Sequence, residues 1–389
     1  MNFDEIIERR GTHSMKWDMM EPLHGVPAED GIAMWVADMD FRPPAAVQEA
    51  LQAMLDHGVY GYFGDQSAYF EAIRWWMKTR HGWALDTDHV LTVNGVVNGV
   101  GLCLDEFTQP GDGVVLMTPV YHAFGRVIRA AGREVVEMEM PEQGGVYVPD
   151  TASWDAKMTG NEKLFILCSP HNPGGRVWTQ AELEAIAAFC ARHDLLLISD
   201  EIHHDLVYPG HTHVPMTRIA GVEDRLIMMT AATKSFNMAG AHLGNVTIPN
   251  GDLRKRFANR MGALGTSPNA FGMHMVTAAY SPAGAEWIDA LTGYLDGNRR
   301  IFDEVVNAIP GLRSMPLEST YLAWVDFSGT GMERDEFTRR VEQDARIAIN
   351  RGPVFGRGGD SFLRFNFATP RARVEEAAER LRRAFGDLQ

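Results

Sequence analysis

Lys234 stands in Thr230–Gly240 (TAATKSFNMAG), among small uncharged residues directly after the apolar run Leu226–Met229. A lysine desolvated in such surroundings favours its neutral form, and a neutral amine is a nucleophile. A Schiff-base lysine needs that state. A surface lysine whose ammonium reaches back to water is the plain alternative. Asp200 follows Leu195–Ser199 (LLLIS). A carboxylate at a strand end can pair with a protonated ring nitrogen of a ligand, cap the next helix, or bind an arginine. Asn172 follows Leu164–Cys168 (LFILC) and precedes Pro173 and two glycines, so it lies in a turn. Its side-chain amide could donate to a phenolate oxygen, or the segment is an ordinary turn. Asn94–Gly99 (NGVVNG) separates Val90–Val93 from an apolar helix, and N–H groups at a helix start can cradle a phosphate.

Two further sets of residues could carry chemistry. Asp200, Glu201, His203, His204 and Asp205 crowd together, with His211 and His213 in a polar loop. Their spacing fits no helical metal motif such as HExxH, and no metal is expected. Arg364 interrupts the apolar alternation of Ser361–Phe367 (SFLRFNF). If buried, it needs an anionic partner, either a structural carboxylate or that of a substrate, which its fork suits.

The elements that position these residues alternate. Val90–Val93, Val114–Met117, Leu164–Cys168, Leu195–Ser199, Leu226–Met229 and Asn245–Ile248 lack polar alternation, as expected of parallel strands buried on both faces. Helical patterns fall between them. Gln66–His81 repeats apolar residues at Phe70, Ile73 and Met77 and stops at Gly82, and Thr179–His193 opens on a possible capping box, Thr179 with Glu182. Strand alternating with helix predicts a doubly wound α/β domain over residues 50–285, where ligands bind beyond the carboxyl ends of the strands. The ends differ. A helical pattern and then mixed strands, Thr320–Phe327 and Ser361–Phe367, predict a smaller α+β domain from residues 286–389, completed by residues 1–49.

Bulk composition narrows the partners. The net charge of −15 disfavours nucleic acid and anionic membrane. Met1–Arg10 (MNFDEIIERR) lacks the apolar core of a signal peptide, and no apolar stretch reaches membrane-spanning length. Three isolated cysteines give no disulfide framework, so a reducing cytoplasm is expected.

Taken together, the order and rough spacing of Asn172, Asp200 and Lys234 resemble the fold-type I pyridoxal 5'-phosphate (PLP) enzymes of the aspartate aminotransferase superfamily. The likeness runs from about Arg9 to Arg371. RRGTHSMKWD (Arg9–Asp18), WVADMDF (Trp35–Phe41), PVYHAF (Pro119–Phe124), PHNPGGRVW (Pro170–Trp178), DEIHHDL (Asp200–Leu206) and KSFNMAG (Lys234–Gly240) look like the MalY/PatB group of cystathionine β-lyases, or C–S lyases.

That resemblance implies a PLP cofactor and a set of roles. Lys234 would be the Schiff-base lysine and the base that takes the Cα proton. Asp200 would bind the pyridine nitrogen, Asn172 the phenolic oxygen, and Tyr121 would stack on the ring. Gly95 and Val96 would give backbone N–H groups to the phosphate. Tyr62, rather than Tyr60, would reach the phosphate of a neighbouring subunit, which implies a homodimer. His203 holds the place where many relatives have a tyrosine touching the phenolic oxygen, and Arg364 would bind the substrate carboxylate. Aminotransferases usually carry a phosphate-binding arginine eight residues after the lysine, where this chain has His242. Thr230 or Thr233 would share that task. The implied reaction is β-elimination from cystathionine or another cysteine S-conjugate to thiol, pyruvate and ammonia. An aminotransferase shares these residues, and a regulatory binding protein could retain the fold. The complete set of Lys234, Asp200 and Asn172 argues against the latter.

Overall fold

Apolar runs become strands here because a central sheet buries both of their faces. In the computed structural model, which describes residues 1–388, one sheet holds β1 (Val90–Val93), β2 (Gly113–Thr118), β3 (Glu134–Glu139), β4 (Glu162–Cys168), β5 (Leu196–Asp200), β6 (Leu226–Thr230) and β7 (Gly244–Thr247). Their order across the sheet is β1, β7, β6, β5, β4, β2, β3. Neighbours from β6 to β3 are parallel. β7 is antiparallel to both β1 and β6. The run Asn245–Ile248 thus yields a strand, but not a parallel one. Its four strand residues are all buried, and a strand covered on both faces reads as apolar whichever way it runs.

β3 is not an apolar run. Its sequence EVVEME is broken by three glutamates, and it lies at the sheet edge with the terminal ones exposed. Charged side chains on an edge strand discourage further pairing. Successive residues of the central strands serve two cores. Val114, Leu116, Leu164 and Ile166 pack on one face, while Val115, Met117, Phe165 and Leu167 pack on the other. This two-faced burial is the doubly wound architecture.

The flanking helices follow local chemistry. Ser67–His81 ends at Gly82, whose φ of 60° is left-handed and whose N–H donates to the Met77 carbonyl. Gln180–Arg192 starts at a complete capping box between Thr179 and Glu182.

A second, four-stranded antiparallel sheet holds β8 (Arg313–Ser314), β9 (Leu322–Asp326), β10 (Asn350–Arg351) and β11 (Phe362–Asn366), in the order β8, β9, β11, β10. Helices Pro282–Ala308 and Arg371–Ala384 pack together beside it. Ile32–Ala33 pairs with Ile347–Ala348, which draws the N-terminal segment into this unit. Residues 50 and 285 lie inside continuous helices, Ala45–His57 and Pro282–Ala308. Among the described residues no helix is long and apolar enough to cross a membrane. Cys103, Cys168 and Cys190 are free and buried.

Candidate active site

The carboxyl ends of β1, β2, β4, β5 and β6 share one edge of the large sheet, and a cavity of ≈ 220 Å³ opens there. Its lining brings together Gly95, Val96, Tyr121, Asn172, Asp200, His203, Thr233, Lys234 and His242. The reversed direction of β7 puts its first residues at this edge, which is how His242 reaches the cavity. Thr230 is buried in β6 and is not part of the lining.

Lys234 sits in the short helix Ala232–Ser235 and is half-buried. Its Nζ donates to the Ala37 carbonyl at 2.5 Å. Burial brings its pKa down to about 8, against the opposing charge of Asp38. The next residue anchors the helix: Ser235 Oγ donates to Asp205 Oδ2 at 2.7 Å. Asp205 Oδ1 accepts from Trp76 Nε1 at 2.8 Å and lies 2.8 Å from His81 Nε2. Ligand-type atoms of His81, His204 and Asp205 fall within 4.8 Å of one another. His81, distant in sequence, carried no signal for this cluster.

Asp200 is buried at the end of β5, and desolvation pushes its pKa up to about 7. The Ile202 N–H donates to it at 3.1 Å. It makes no ion pair with a described residue. Arg364 is 2% exposed and equally short of a counter-charge. Its Nη1 donates to Asn172 Oδ1 at 2.9 Å, and its Nη2 donates to the Trp35 carbonyl at 3.0 Å and to Asn350 Oδ1 at 2.5 Å. The guanidinium lies 4.9 Å from the Phe355 ring centroid, and Nε has no partner. Every one of these contacts is neutral, so a structural salt bridge is not the reason for this buried cation. Burial lowers its pKa to about 10. Because Arg364 occupies the Asn172 oxygen, the Asn172 amide nitrogen is left as a donor.

The remaining residues follow from backbone geometry. Gly95 has φ of 94° and precedes Val96–Phe107 with no side-chain cap, so the first N–H groups of that helix are free to bind an anion. Tyr121 precedes His122–Ala130, and burial raises its pKa. His203 is buried, burial lowers its pKa to about 3, and its Nδ1 has no partner. Tyr62 is fully exposed and lines a separate surface hollow with Tyr60, Phe63 and His274.

One part of the site had no chemical signal in sequence. The segment Trp35–Phe41 forms a strap whose Ala37 lines the cavity, and side chains from three other segments hold it. Asp40 Oδ1 accepts from Arg9 at 2.8 Å and from Trp17 Nε1 at 2.8 Å, while its Oδ2 accepts from Lys16 at 3.0 Å. Asn237 Nδ2 donates to the Met39 and Phe41 carbonyls at 2.9 and 2.7 Å. Asn366 Nδ2 donates to the Val36 and Asp38 carbonyls, each at 2.6 Å. RRGTHSMKWD and KSFNMAG therefore owe part of their pattern to gripping WVADMDF.

A profile of the aminotransferase class I and II family matches residues 30–381. The chain belongs to this family. It is similar to cystathionine beta-lyase PatB of Bacillus subtilis, 35% identical with 99% of this chain and 100% of the relative covered. Protein MalY of Escherichia coli is 33% identical, with 96% of each chain covered. Among solved structures, cystalysin from Treponema denticola, which contains a pyridoxal 5'-phosphate cofactor, matches with a TM-score of 0.95 and 35% identity. That match covers 100% of this chain and 99% of cystalysin.

Proposed function

We propose that this chain is a PLP-dependent C–S β-lyase, cleaving cystathionine or a related cysteine S-conjugate to thiol, pyruvate and ammonia. One observation carries the reading. One cavity is lined by an amine of lowered pKa (Lys234) and a buried carboxylate outside any ion pair (Asp200), and its lining residue Asn172 accepts from a buried guanidinium without an anion (Arg364). An isolated buried charge is unfavourable, so such groups imply partners supplied from outside the chain. A pyridinium nitrogen would meet Asp200, and an amino-acid carboxylate would meet Arg364. The residues present thus fit PLP.

When bound, PLP supplies the electron sink that delocalises the pair left on the substrate Cα. The chain's own residues do the rest. Lys234 Nζ would hold the cofactor covalently and, as a free amine, would take the Cα proton. Asp200 would keep the ring nitrogen protonated, Asn172 Nδ2 would donate to the phenolic oxygen, and Tyr121 would stack on the ring. His203 and Thr233 line the cavity beside it, His203 with an unpartnered ring nitrogen. Gly95 and Val96 offer backbone N–H groups to the phosphate. Arg364 orients the substrate through its carboxylate.

The division into a large unit of residues 50–285 and a small one from the two ends belongs to this reading. So does a homodimer in which Tyr62 serves the neighbouring site. Exposed Leu55, Val59, Tyr60 and Tyr62 support it, being an apolar patch that water disfavours. Three free cysteines suit a reducing, cytoplasmic setting.

The test is release of pyruvate and free thiol from L-cystathionine by the PLP-loaded protein without a keto acid. Equal release supports the lyase. No release, with an absolute need for an acceptor keto acid, assigns the site to transamination instead. Borohydride should fix PLP to Lys234 and fail to do so in Lys234→Ala; persistent labelling of that variant removes Lys234 from its role.

A further inference from the structure

The strap carries a carbonyl whose direction is set by a residue outside the conventional machinery. At Ala37 the chain makes a tight turn: the Asp38 N–H donates to the Val36 carbonyl at 2.9 Å. Asn366 staples both ends of this turn, its one amide nitrogen donating at 2.6 Å to the carbonyls of Val36 and Asp38. Asn366 is itself fixed. It is fully buried, its N–H donates to the Met34 carbonyl at 2.7 Å, and its Oδ1 accepts from the Ala368 N–H at 2.8 Å. The carbonyl between the two stapled ones, that of Ala37, is left to accept from Lys234 Nζ at 2.5 Å and from the Tyr321 hydroxyl at 3.0 Å.

We infer that Asn366 is a positioning residue, which turns the Ala37 carbonyl toward Lys234 and so gives the reactive amine a fixed resting acceptor. This rests on Lys234 being the reacting amine. The acceptor does two things. It stabilises the ammonium form, which can donate to a carbonyl, and it fixes where Nζ waits between proton transfers. Asn366 lies two residues beyond Arg364 on β11. One strand therefore sets both the carboxylate anchor and, through the strap, the base. Pre-organisation of this kind is needed because small displacements of a catalytic group are costly in rate.

The experiment reads the amine directly in cofactor-free protein. Trace acetylation by acetic anhydride, with mass spectrometry of the Lys234 peptide, gives the midpoint pH of the amine. Asp38, Asp200, Arg364, His203 and Tyr321 surround Lys234 and stay unchanged between wild type and the Asn366 variants. Asn366→Leu has nearly the same shape and no donors, so a purely steric role survives it. Asn366→Ser keeps one donor. The midpoint should fall by about one pH unit in Asn366→Leu and by less in Asn366→Ser. A folded Asn366→Leu protein, verified by thermal unfolding, that keeps the wild-type midpoint overturns the inference.

If neither variant folds, Tyr321→Phe decides. It removes the competing donor to the same carbonyl, so the midpoint should rise; a midpoint that stays or falls overturns the inference. Borohydride reduction of PLP-loaded wild type is the separate control. Fixation at a residue other than Lys234 sinks the active-site reading itself, whatever the Asn366 variants do.

Discussion

Asp200→Asn should make the cofactor-free protein more stable while abolishing its chemistry. The native carboxyl has its pKa raised from 3.8 to about 7 because burial strips its water, a penalty that the Ile202 N–H and the nearby Lys234 only partly offset. A folded pKa above the unfolded one means that the native state holds the proton more tightly. Its stability contribution is complete below about pH 4 and is lost as pH rises through about 7. The gap of about three pH units corresponds to roughly 4 kcal/mol at about 1.4 kcal/mol per unit. Asparagine keeps the shape, and its oxygen can still accept from the Ile202 N–H. It carries no charge to bury. Unfolding of both proteins by denaturant, at about pH 8 and about pH 5, measures the difference. The variant should gain most at the higher pH, exceeding its gain at the lower pH by roughly 2–3 kcal/mol. PLP bound to the variant should lack the charge that keeps its ring nitrogen protonated, so lyase turnover should fall by several orders of magnitude. An advantage that does not grow with pH, or a variant less stable than wild type at the higher pH, refutes the view that Asp200 is an uncompensated buried charge waiting for a cation.

Arg364→Lys should raise KM about 100-fold, equivalent to about 3 kcal/mol, because an ammonium cannot reproduce the fork that holds Asn172, the Trp35 carbonyl and a substrate carboxylate together. Steady-state kinetics on L-cystathionine checks it, and an unchanged KM removes Arg364 from carboxylate binding. Gly175→Ala should destabilise the protein by about 1–3 kcal/mol and loosen PLP binding. Gly175 has φ of 66°, an added Cβ would meet Leu317 Cδ2 at 2.1 Å, and its N–H closes the Asn172 turn by donating to the His171 carbonyl at 2.8 Å. Thermal unfolding equal to wild type contradicts this.

Local chemistry decided much of the large sheet. Apolar runs located six of the seven strands of the large sheet, and the residues at or just after their carboxyl ends include Lys234, Asp200, Asn172 and Gly95, which line one cavity. Gly82 and the Thr179–Glu182 box marked helix ends because caps depend on residues a few positions apart. The edge strand Glu134–Glu139 is interrupted by three glutamates, and only its place in the sheet makes that pattern strand-like.

Tertiary structure decided what depends on partners far along the chain. The direction of Gly244–Thr247 is invisible in a strand buried on both faces, yet it brings His242 to the cavity. Arg364 could have faced a structural carboxylate; only the fold shows that Asn172, Asn350 and the Trp35 carbonyl surround it. The strap is the clearest case. WVADMDF contains no catalytic side chain, and its contribution is a backbone carbonyl aimed by Asn366, more than three hundred residues away. Side-chain type and spacing are written in the sequence, so the chemistry they permit can be read there. The direction of a carbonyl and the absence of a counter-ion are properties of packing, and they exist only once the chain has folded.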